Sequence, residues 1–278
     1  MAQSPSGSSP AARLCRCLPA VFSAVAARLA RGLPAFLSVI AALAVWEAYV
    51  RLSGISVLVL PAPSRVAEQI VVNRDLLWAN TWPTLLATLS GFAFSLTIAF
   101  ALSLLIDFLP RLRRALFPVF VISQTLPLVA IAPLVVLWFG FGLTPKILLV
   151  ALVTFFPMLV ALVDGYESTD PDISALLRSM GASRAAIFRR ARLPSAMPYF
   201  FAGLRISITY AVVAAIFAEY VGARAGLGIV ILNAKNSFRP DLMLAAVVIS
   251  SALTLALFGA SALLQRIVLS WRHAGATS

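Results

Sequence analysis

Groups capable of covalent or acid–base chemistry are sparse in this chain of 278 residues. The single histidine is His273, and the only two cysteines, Cys15 and Cys17, lack the histidine or acidic neighbours that a metal site requires. The sequence contains neither a G-x-S-x-G nucleophile turn nor a G-x-x-x-x-G-K-[ST] loop that would cradle phosphates. We therefore predict that the chain is not an enzyme and has no catalytic, cofactor-binding or metal site.

Polar side chains inside apolar segments are the remaining candidates for function. Ser123, Gln124 and Thr125 precede Pro127, and Glu219 lies near the end of another apolar segment. Polar groups beside a proline break can line a translocation path, because the freed carbonyls need protein or a wet cavity around them. The alternative is that Ser123 and Thr125 bond carbonyls of their own helix, and that Glu219 lies at the membrane interface. Arg205 is predicted to snorkel to the cytoplasm or to face protein.

A charge-dense stretch from Thr169 to Pro198 interrupts the apolar segments. Asp170 followed by Pro171 predicts a helix start, and Gly181 predicts its end. A second helix is predicted from Arg184 to Arg192, capped by Ser183 and ended by Leu193-Pro194. The first helix has one apolar face, formed by Ile173, Leu176, Leu177 and Met180. This face needs a cover, either a groove of another protein or the chain's own helix ends.

The elements around these residues belong to a membrane protein, because 61% of the residues are hydrophobic and only 12% are charged. We predict an all-α bundle with six transmembrane helices, the third broken by its prolines. The predicted spans are 33–50, 82–106, 115–145, 147–163, 195–221 and 242–264. Residues 60–64 are predicted to be an extended connector, and 222–241 an external loop folded back on the bundle.

The distribution of arginine predicts the orientation of the spans. Arginines in the tail, after the second span, after the fourth span and after the sixth place both termini in the cytoplasm. The net charge of +12 follows from this topology, so we do not expect nucleic acid as a partner. Residues 1–32 are predicted to be a cytoplasmic tail rather than a cleaved signal peptide, because arginines flank its short apolar piece on both sides. Residues 33–278 form the predicted transmembrane domain.

The stretch about 169–194 carries a resemblance to a known family. Gly181, followed after eleven residues by Leu193-Pro194, resembles the EAA loop of the inner-membrane permease subunits of ABC importers. The glutamate and alanines of that loop are replaced by Ala175, Leu176 and Leu177, and the usual isoleucine before Leu-Pro by Ala191. Further similarity lies in Leu60–Ser64, Trp138–Gly142, Gly203–Arg205, Glu219–Gly222 and Gly226–Gly228. These features resemble most the branch that imports nitrate, sulfonates, taurine or the pyrimidine precursor of thiamine.

The resemblance implies a type I ABC importer permease in the bacterial inner membrane. It implies four partners: an ABC ATP-binding subunit that uses the ATP, a periplasmic substrate-binding protein, a second copy of the chain and the lipid bilayer. Coupling to the ATPase would involve Ile173, Leu176, Leu177, Met180, Gly181, Ala182, Leu193 and Pro194. The alternative is an ion-coupled secondary transporter or channel that works without an ATPase, for which the chain has few charges at mid-membrane and no evident repeat.

Overall fold

The computed structural model describes residues 33–34 and 36–269. The predictions for the N-terminal tail, with Cys15 and Cys17, and for His273 concern residues outside these ranges. The chain divides into two compact units, Met1–Arg65 and Val66–Ser278. Each unit is described by itself below.

In the first unit, helix α1 (Phe36–Ser53) is followed by a return of the chain towards Glu47. The Glu47 carboxylate accepts hydrogen bonds from Arg51 Nε at 2.6 Å, Ser64 N at 3.0 Å and Ser64 Oγ at 2.8 Å. Glu47 thereby satisfies a free N–H at the start of helix α2 (Pro63–Val72). The predicted connector is helical from Pro63 onwards, since proline is well tolerated at the first position of a helix.

Three long helices form the centre of the second unit: α3 (Arg74–Phe108), α6 (Leu143–Glu167) and α9 (Leu193–Gly222). Small residues let their backbones approach closely. A Cβ added at Gly91 of α3 would lie 2.6 Å from Val150 Cβ of α6, and one at Gly203 of α9 would lie 2.5 Å from Ala161 Cβ of α6. Because α6 meets both neighbours through such contacts, these three helices are packed too tightly to accept larger side chains there.

The predicted third span is broken, as expected. Helices α4 (Pro110–Thr125) and α5 (Leu128–Phe139) meet at an angle of 98°. Leu126 and Pro127 between them are extended, with ψ of 122° and 121°. Proline disfavours helical geometry in the residue before it and lacks an N–H, so the break falls at this dipeptide.

The charge-dense stretch forms α7 (Pro171–Ser179), α8 (Arg184–Ile187) and a π-helical turn (Phe188–Arg192) that runs directly into α9. The prediction that Leu193-Pro194 ends the second helix is therefore wrong. Leu193 N donates to Phe188 O, five residues back. This wider turn interrupts the regular hydrogen-bond ladder just before Pro194, which has no N–H to contribute.

The predicted external loop contains a further helix, α10 (Leu227–Asn236), before α11 (Pro240–Val268). Leu227, Val230 and Ile231 of α10 pack on the bundle in a cluster with Leu77 and Ala245, which confirms that this segment folds back. Within the described residues, five helices are long and apolar enough to cross a membrane, and the bent α4–α5 pair makes six. This agrees with the predicted all-α, six-span architecture.

Candidate functional site

Helix α7 begins and ends as its sequence predicts. Asp170 is the N-cap, and its Oδ1 accepts a hydrogen bond from Asp172 N at 2.8 Å. At the other end, Gly181 has a φ of +79°, and Ala182 N donates to Leu177 O at 3.0 Å. With Gly181 N bonded to Arg178 O, this is a Schellman motif with glycine in its left-handed position. The helix therefore has a fixed length and a fixed exit direction.

The apolar face of α7 is uncovered. Ile173, Leu176 and Met180 are 50%, 61% and 75% exposed, and Leu177 is half-buried. Of the two covers considered from the sequence, the chain's own helix ends do not provide one within the described residues. Ala182, Leu193 and Pro194 are half-buried beside it. Two exposed apolar side chains on a helix of nine residues and a third on its C-cap, Met180, form a surface suited to a groove in another protein.

Side chains of the π-helical turn contact the central helices. The Phe188 ring lies 5.8 Å from that of Phe108 and 5.1 Å from that of Tyr166, measured between centroids. Arg192 forms an ion pair with Asp107 at the end of α3. The π-helical turn, which follows α7 and α8 in the chain, is thus in direct side-chain contact with α3 and α6.

A second ion pair, between Arg113 of α4 and Glu167 of α6, lies at the same end of the bundle. A cavity of about 530 Å³ lies between these pairs and α7. Thr169 is one of its lining residues, and the buried Thr169 Oγ1 has no hydrogen-bond partner among the described residues. The cavity separates α7 from the ends of α3 and α6, so α7 has space on the side that faces the bundle.

The predicted path residues Ser123, Gln124 and Thr125 lie in the last turn of α4, at the 98° bend. Ser123 Oγ donates to Phe120 O at 2.7 Å and Thr125 Oγ1 to Ile122 O at 2.8 Å. The alternative in which both hydroxyls bond their own helix is thus observed. Gln124 and Thr125 are also exposed, so a role in the path stays a prediction for these residues.

Glu219 has a different placement from either sequence interpretation. Its carboxylate is fully buried and accepts hydrogen bonds from Lys146 Nζ at 3.1 Å, Gly228 N at 3.0 Å and Thr84 Oγ1 at 2.9 Å. Lys146 also donates to Ala225 O at 2.9 Å. In this conformation Glu219 has no surface with which to contact a solute; it joins α3, α6, α9 and α10.

The same cluster supplies the start of α10 with hydrogen-bond acceptors. Gly226 N donates to Asn80 Oδ1 at 2.9 Å and Leu227 N to Thr84 Oγ1 at 2.8 Å, in addition to the bond from Gly228 N to Glu219. Three successive N–H groups at a helix start, which have no partner within the helix, are thereby satisfied from α3 and α9. A Cβ at Gly226 would lie 2.1 Å from Glu219 Cδ, so this cluster requires glycine there.

Sequence reasoning missed Lys146, Thr84 and Asn80. Lys146 lies between two predicted spans, a position at which charged residues are common. Thr84 lies inside a predicted span and Asn80 just before it, and isolated polar residues occur at such positions without a function. The one available signal was Lys146 directly after the uncharged run 115–145, with Glu219 similarly placed at the end of another span. Arg205, which was predicted to face protein as one option, does so through a hydrogen bond to Gln265 of α11.

Comparisons with known proteins agree with one another. The family model described as "Binding-protein-dependent transport system inner membrane component" matches residues 91–269. The chain is 37% identical to the riboflavin transport system permease protein RibX of Chloroflexus aurantiacus, covering 82% of this chain and 86% of that protein. It is 36% identical to the formylaminopyrimidine transport permease protein ThiX of Halalkalibacterium halodurans, covering 83% and 92%. The inward-facing MetNI methionine ABC transporter shares the fold, with a TM-score of 0.63 and 20% identity over 70% of this chain and 97% of that chain.

Proposed function

Because the chain belongs to the family of binding-protein-dependent transport system inner membrane components, we propose a specific role for it in transport. The chain is the permease subunit of an ABC importer and a multi-pass protein of the inner membrane. We propose that α7 docks into a groove of a separate ATP-binding subunit, which binds and hydrolyses the ATP. No cofactor is assigned to the permease itself.

The exposed apolar face of α7 is the observation that carries this proposal. Leu176 and Met180 would be withdrawn from water in the groove, and each apolar side chain so buried contributes about 1.5–3 kcal/mol as an upper bound. The contacts of Phe188 and the Arg192–Asp107 pair then connect the docked helix to α3 and α6. Movement of the ATPase would reach the membrane helices through these contacts.

The arrangement of the whole transporter follows from this role. We place the arginine-rich end of the bundle, with α7 and α8, in the cytoplasm, in accordance with the positive-inside rule. Two copies of the chain form the pathway, because each copy presents one α7 and a pair of ATPase subunits needs two docking points. A substrate-binding protein then delivers the solute at the opposite end, where α10 lies.

The cargo we propose is a nitrogen heterocycle of the pyrimidine-precursor type rather than nitrate, a sulfonate or taurine. The support is that two relatives at similar identity are named for formylaminopyrimidine and riboflavin, which are both nitrogen heterocycles. The proposal is tested with the substrate-binding protein that stimulates ATP hydrolysis by the complete transporter. Its melting temperature should rise with formylaminopyrimidine or riboflavin and stay constant with nitrate, taurine and an alkyl sulfonate; the reverse pattern would contradict it.

The coupling role is tested by Leu176→Asp with Met180→Asp in one variant. Both side chains are exposed, so the variant should insert and fold normally. Carboxylates in an apolar groove are strongly unfavourable, so co-purification of the ATPase and uptake into cells should each fall at least tenfold. The matched control is Ala175→Asp with Ser179→Asp, which adds the same charge to exposed positions of α7 outside the apolar face.

Equal losses in both double variants would show that charge on α7, and not its apolar face, is responsible. Undiminished uptake by the first variant would refute the docking role. Uptake by the purified chain alone in vesicles, driven by an ion gradient, would instead favour the secondary-transporter alternative.

A further inference from the structure

Phe238, between α10 and α11, has a backbone conformation that residues other than glycine rarely adopt. Its φ is +52°, and no other non-glycine residue in the described part of the chain has a positive φ. Arg239 N donates to Ala234 O at 2.8 Å and Phe238 N to Lys235 O at 3.1 Å. These two bonds form a Schellman motif at the end of α10, with Phe238 in the left-handed position.

The end of α7 shows what this position normally holds. The same pair of hydrogen bonds closes α7 around Gly181, and glycine adopts the left-handed conformation without a steric penalty. Phe238 bears that penalty, and its side chain is 80% exposed, so little packing compensates for it. A strained conformation combined with an exposed aromatic ring is not explained by stability of this chain alone, and such sites are often functional.

The helix that presents Phe238 is held firmly. The first N–H groups of α10 are bonded to Asn80, Thr84 and Glu219, and its apolar side packs on the bundle. Binding to a preorganised surface loses less conformational entropy than binding to a mobile loop. Phe238 is therefore fixed in place before any partner arrives.

The level of Phe238 relative to the membrane follows from its neighbour Gln69. Arg239 Nη2 donates to Gln69 Oε1 at 3.0 Å, and helical bonds continue from Gln69 into α3, with Asn73 N bonded to Gln69 O and Leu77 N to Asn73 O. Helix α3 has 35 residues, which corresponds to about 52 Å, whereas a bilayer with its headgroups is about 40–45 Å thick.

The uncharged residues 82–106 account for the hydrocarbon core, so the residues that precede α3 lie beyond it. Arg239, the chain neighbour of Phe238, is bonded to one of them, so Phe238 is placed outside the reach of lipid tails. Trp78 and Trp82, which are exposed on α3, are the aromatic residues at the interfacial level. The partner that fits Phe238 is therefore a protein in the aqueous phase and not lipid.

The charges around Phe238 indicate the chemistry of that partner. The segment from Ala223 to Pro240 contains three charged residues, Arg224, Lys235 and Arg239, and all are positive, whereas the acid that follows it, Asp241, is buried. Aromatic residues and arginine are enriched among the residues that dominate binding at protein interfaces, whereas lysine belongs to the polar rim. A ring with cations around it is therefore complementary to an apolar pocket with an acidic rim.

We propose that Phe238, flanked by Lys235 and Arg239, is the anchor by which the permease binds the acidic docking surface of its substrate-binding protein. This inference rests on the proposed function, which brings a substrate-binding protein to this end of the bundle. Phe238 fills an apolar pocket of that protein, and Lys235 and Arg239 pair with carboxylates around the pocket. The strained conformation at Phe238 is retained because glycine, which would relieve the strain, has no aromatic ring to fill the pocket.

The decisive variant is Phe238→Gly in the complete transporter with its ATPase subunit. Glycine suits the left-handed position, so the apparent Tm should stay the same or rise. The concentration of the substrate-binding protein needed for half-maximal ATPase stimulation should rise at least tenfold, with the maximal rate unchanged. Trp78→Ala, which removes another exposed aromatic ring at the same end, should leave this concentration unchanged.

A second measurement separates protein docking from lipid contact. Binding of the substrate-binding protein to the transporter in detergent micelles should show the same weakening, and Lys235→Glu should weaken binding and reduce its salt dependence. Weakening in nanodiscs that disappears in detergent would overturn the inference in favour of a lipid contact. A Phe238→Gly variant with wild-type response, or with a lower Tm as its only effect, would overturn it as well. If the wild-type ATPase is not stimulated by the binding protein, the proposed function fails, and this inference with it.

Discussion

Replacement of Lys146 by methionine removes the ion-pair partner that the described residues give to Glu219. The Glu219 carboxylate is fully buried and keeps its bonds from Thr84 and Gly228. Methionine matches the aliphatic length of lysine, so the change removes charge with little change in volume. The expected consequence is a buried carboxylate without a compensating cation.

The magnitude follows from the burial of both partners. The Glu219 side chain is 0% exposed and that of Lys146 10%. Removal of one member of a buried ion pair costs about 3–5 kcal/mol, because the remaining charge stays desolvated. With two hydrogen bonds left to the carboxylate, we expect about 3 kcal/mol for Lys146→Met. At about 2–4 °C per kcal/mol, the apparent Tm should fall by roughly 6–12 °C.

The assay is thermal unfolding of the purified permease in detergent, followed by tryptophan fluorescence, for a double-mutant cycle. Glu219→Gln alone should also lower the stability of the permease, because the Lys146 ammonium then loses its ion pair and keeps only its hydrogen bond to the Ala225 carbonyl. The double variant has no buried charge, so it should be more stable than Lys146→Met, with a coupling energy of about 1.5 kcal/mol or more. A loss below about 1 kcal/mol for Lys146→Met, or strictly additive effects, would refute the reasoning.

Two further predictions concern the ends of the bundle. Gly226→Ala should lower the apparent Tm, since its φ is +133° and the new Cβ would meet Glu219, whereas Gly259→Ala in α11, with open space around it, should raise Tm slightly through helix propensity. Asp107→Asn breaks the pair with Arg192 and should lower the ratio of solute transported to ATP hydrolysed, with little loss of stability; an unchanged ratio measured in proteoliposomes would contradict this.

Local chemistry made α7 and the broken third span predictable. Asp170, Pro171 and Gly181 act through hydrogen bonds and backbone preferences within a few residues, so the bounds of α7 could be inferred without knowledge of the fold. The break at Leu126-Pro127 likewise depends on one dipeptide. The family resemblance rested on the same stretch, with further motifs along the chain.

The features that the sequence does not predict depend on residues far apart in the chain or on a local irregularity in a helix. Lys146 and Glu219 are 73 residues apart, and no local pattern joins them. The sequence predicts a loop in place of helix α10, because the start of this helix depends on acceptors from α3 and α9 rather than on a capping residue of its own. Leu193-Pro194 predicts a helix end, because a π-helical turn that precedes a proline has no sequence signature.

The separation of Lys146 and Glu219 also orders events during synthesis. At about 5–20 residues per second, Lys146 leaves the ribosome about 4–15 s before Glu219. During that interval α6 enters the membrane with a lysine at its first turn that has no acid to pair with, and the lysine can stay in water because it lies at the helix end. The arrival of α9 then gives Lys146 its acid, and it adds the Glu219 carboxylate to the acceptors that Asn80 and Thr84 of α3 already provide for the start of α10.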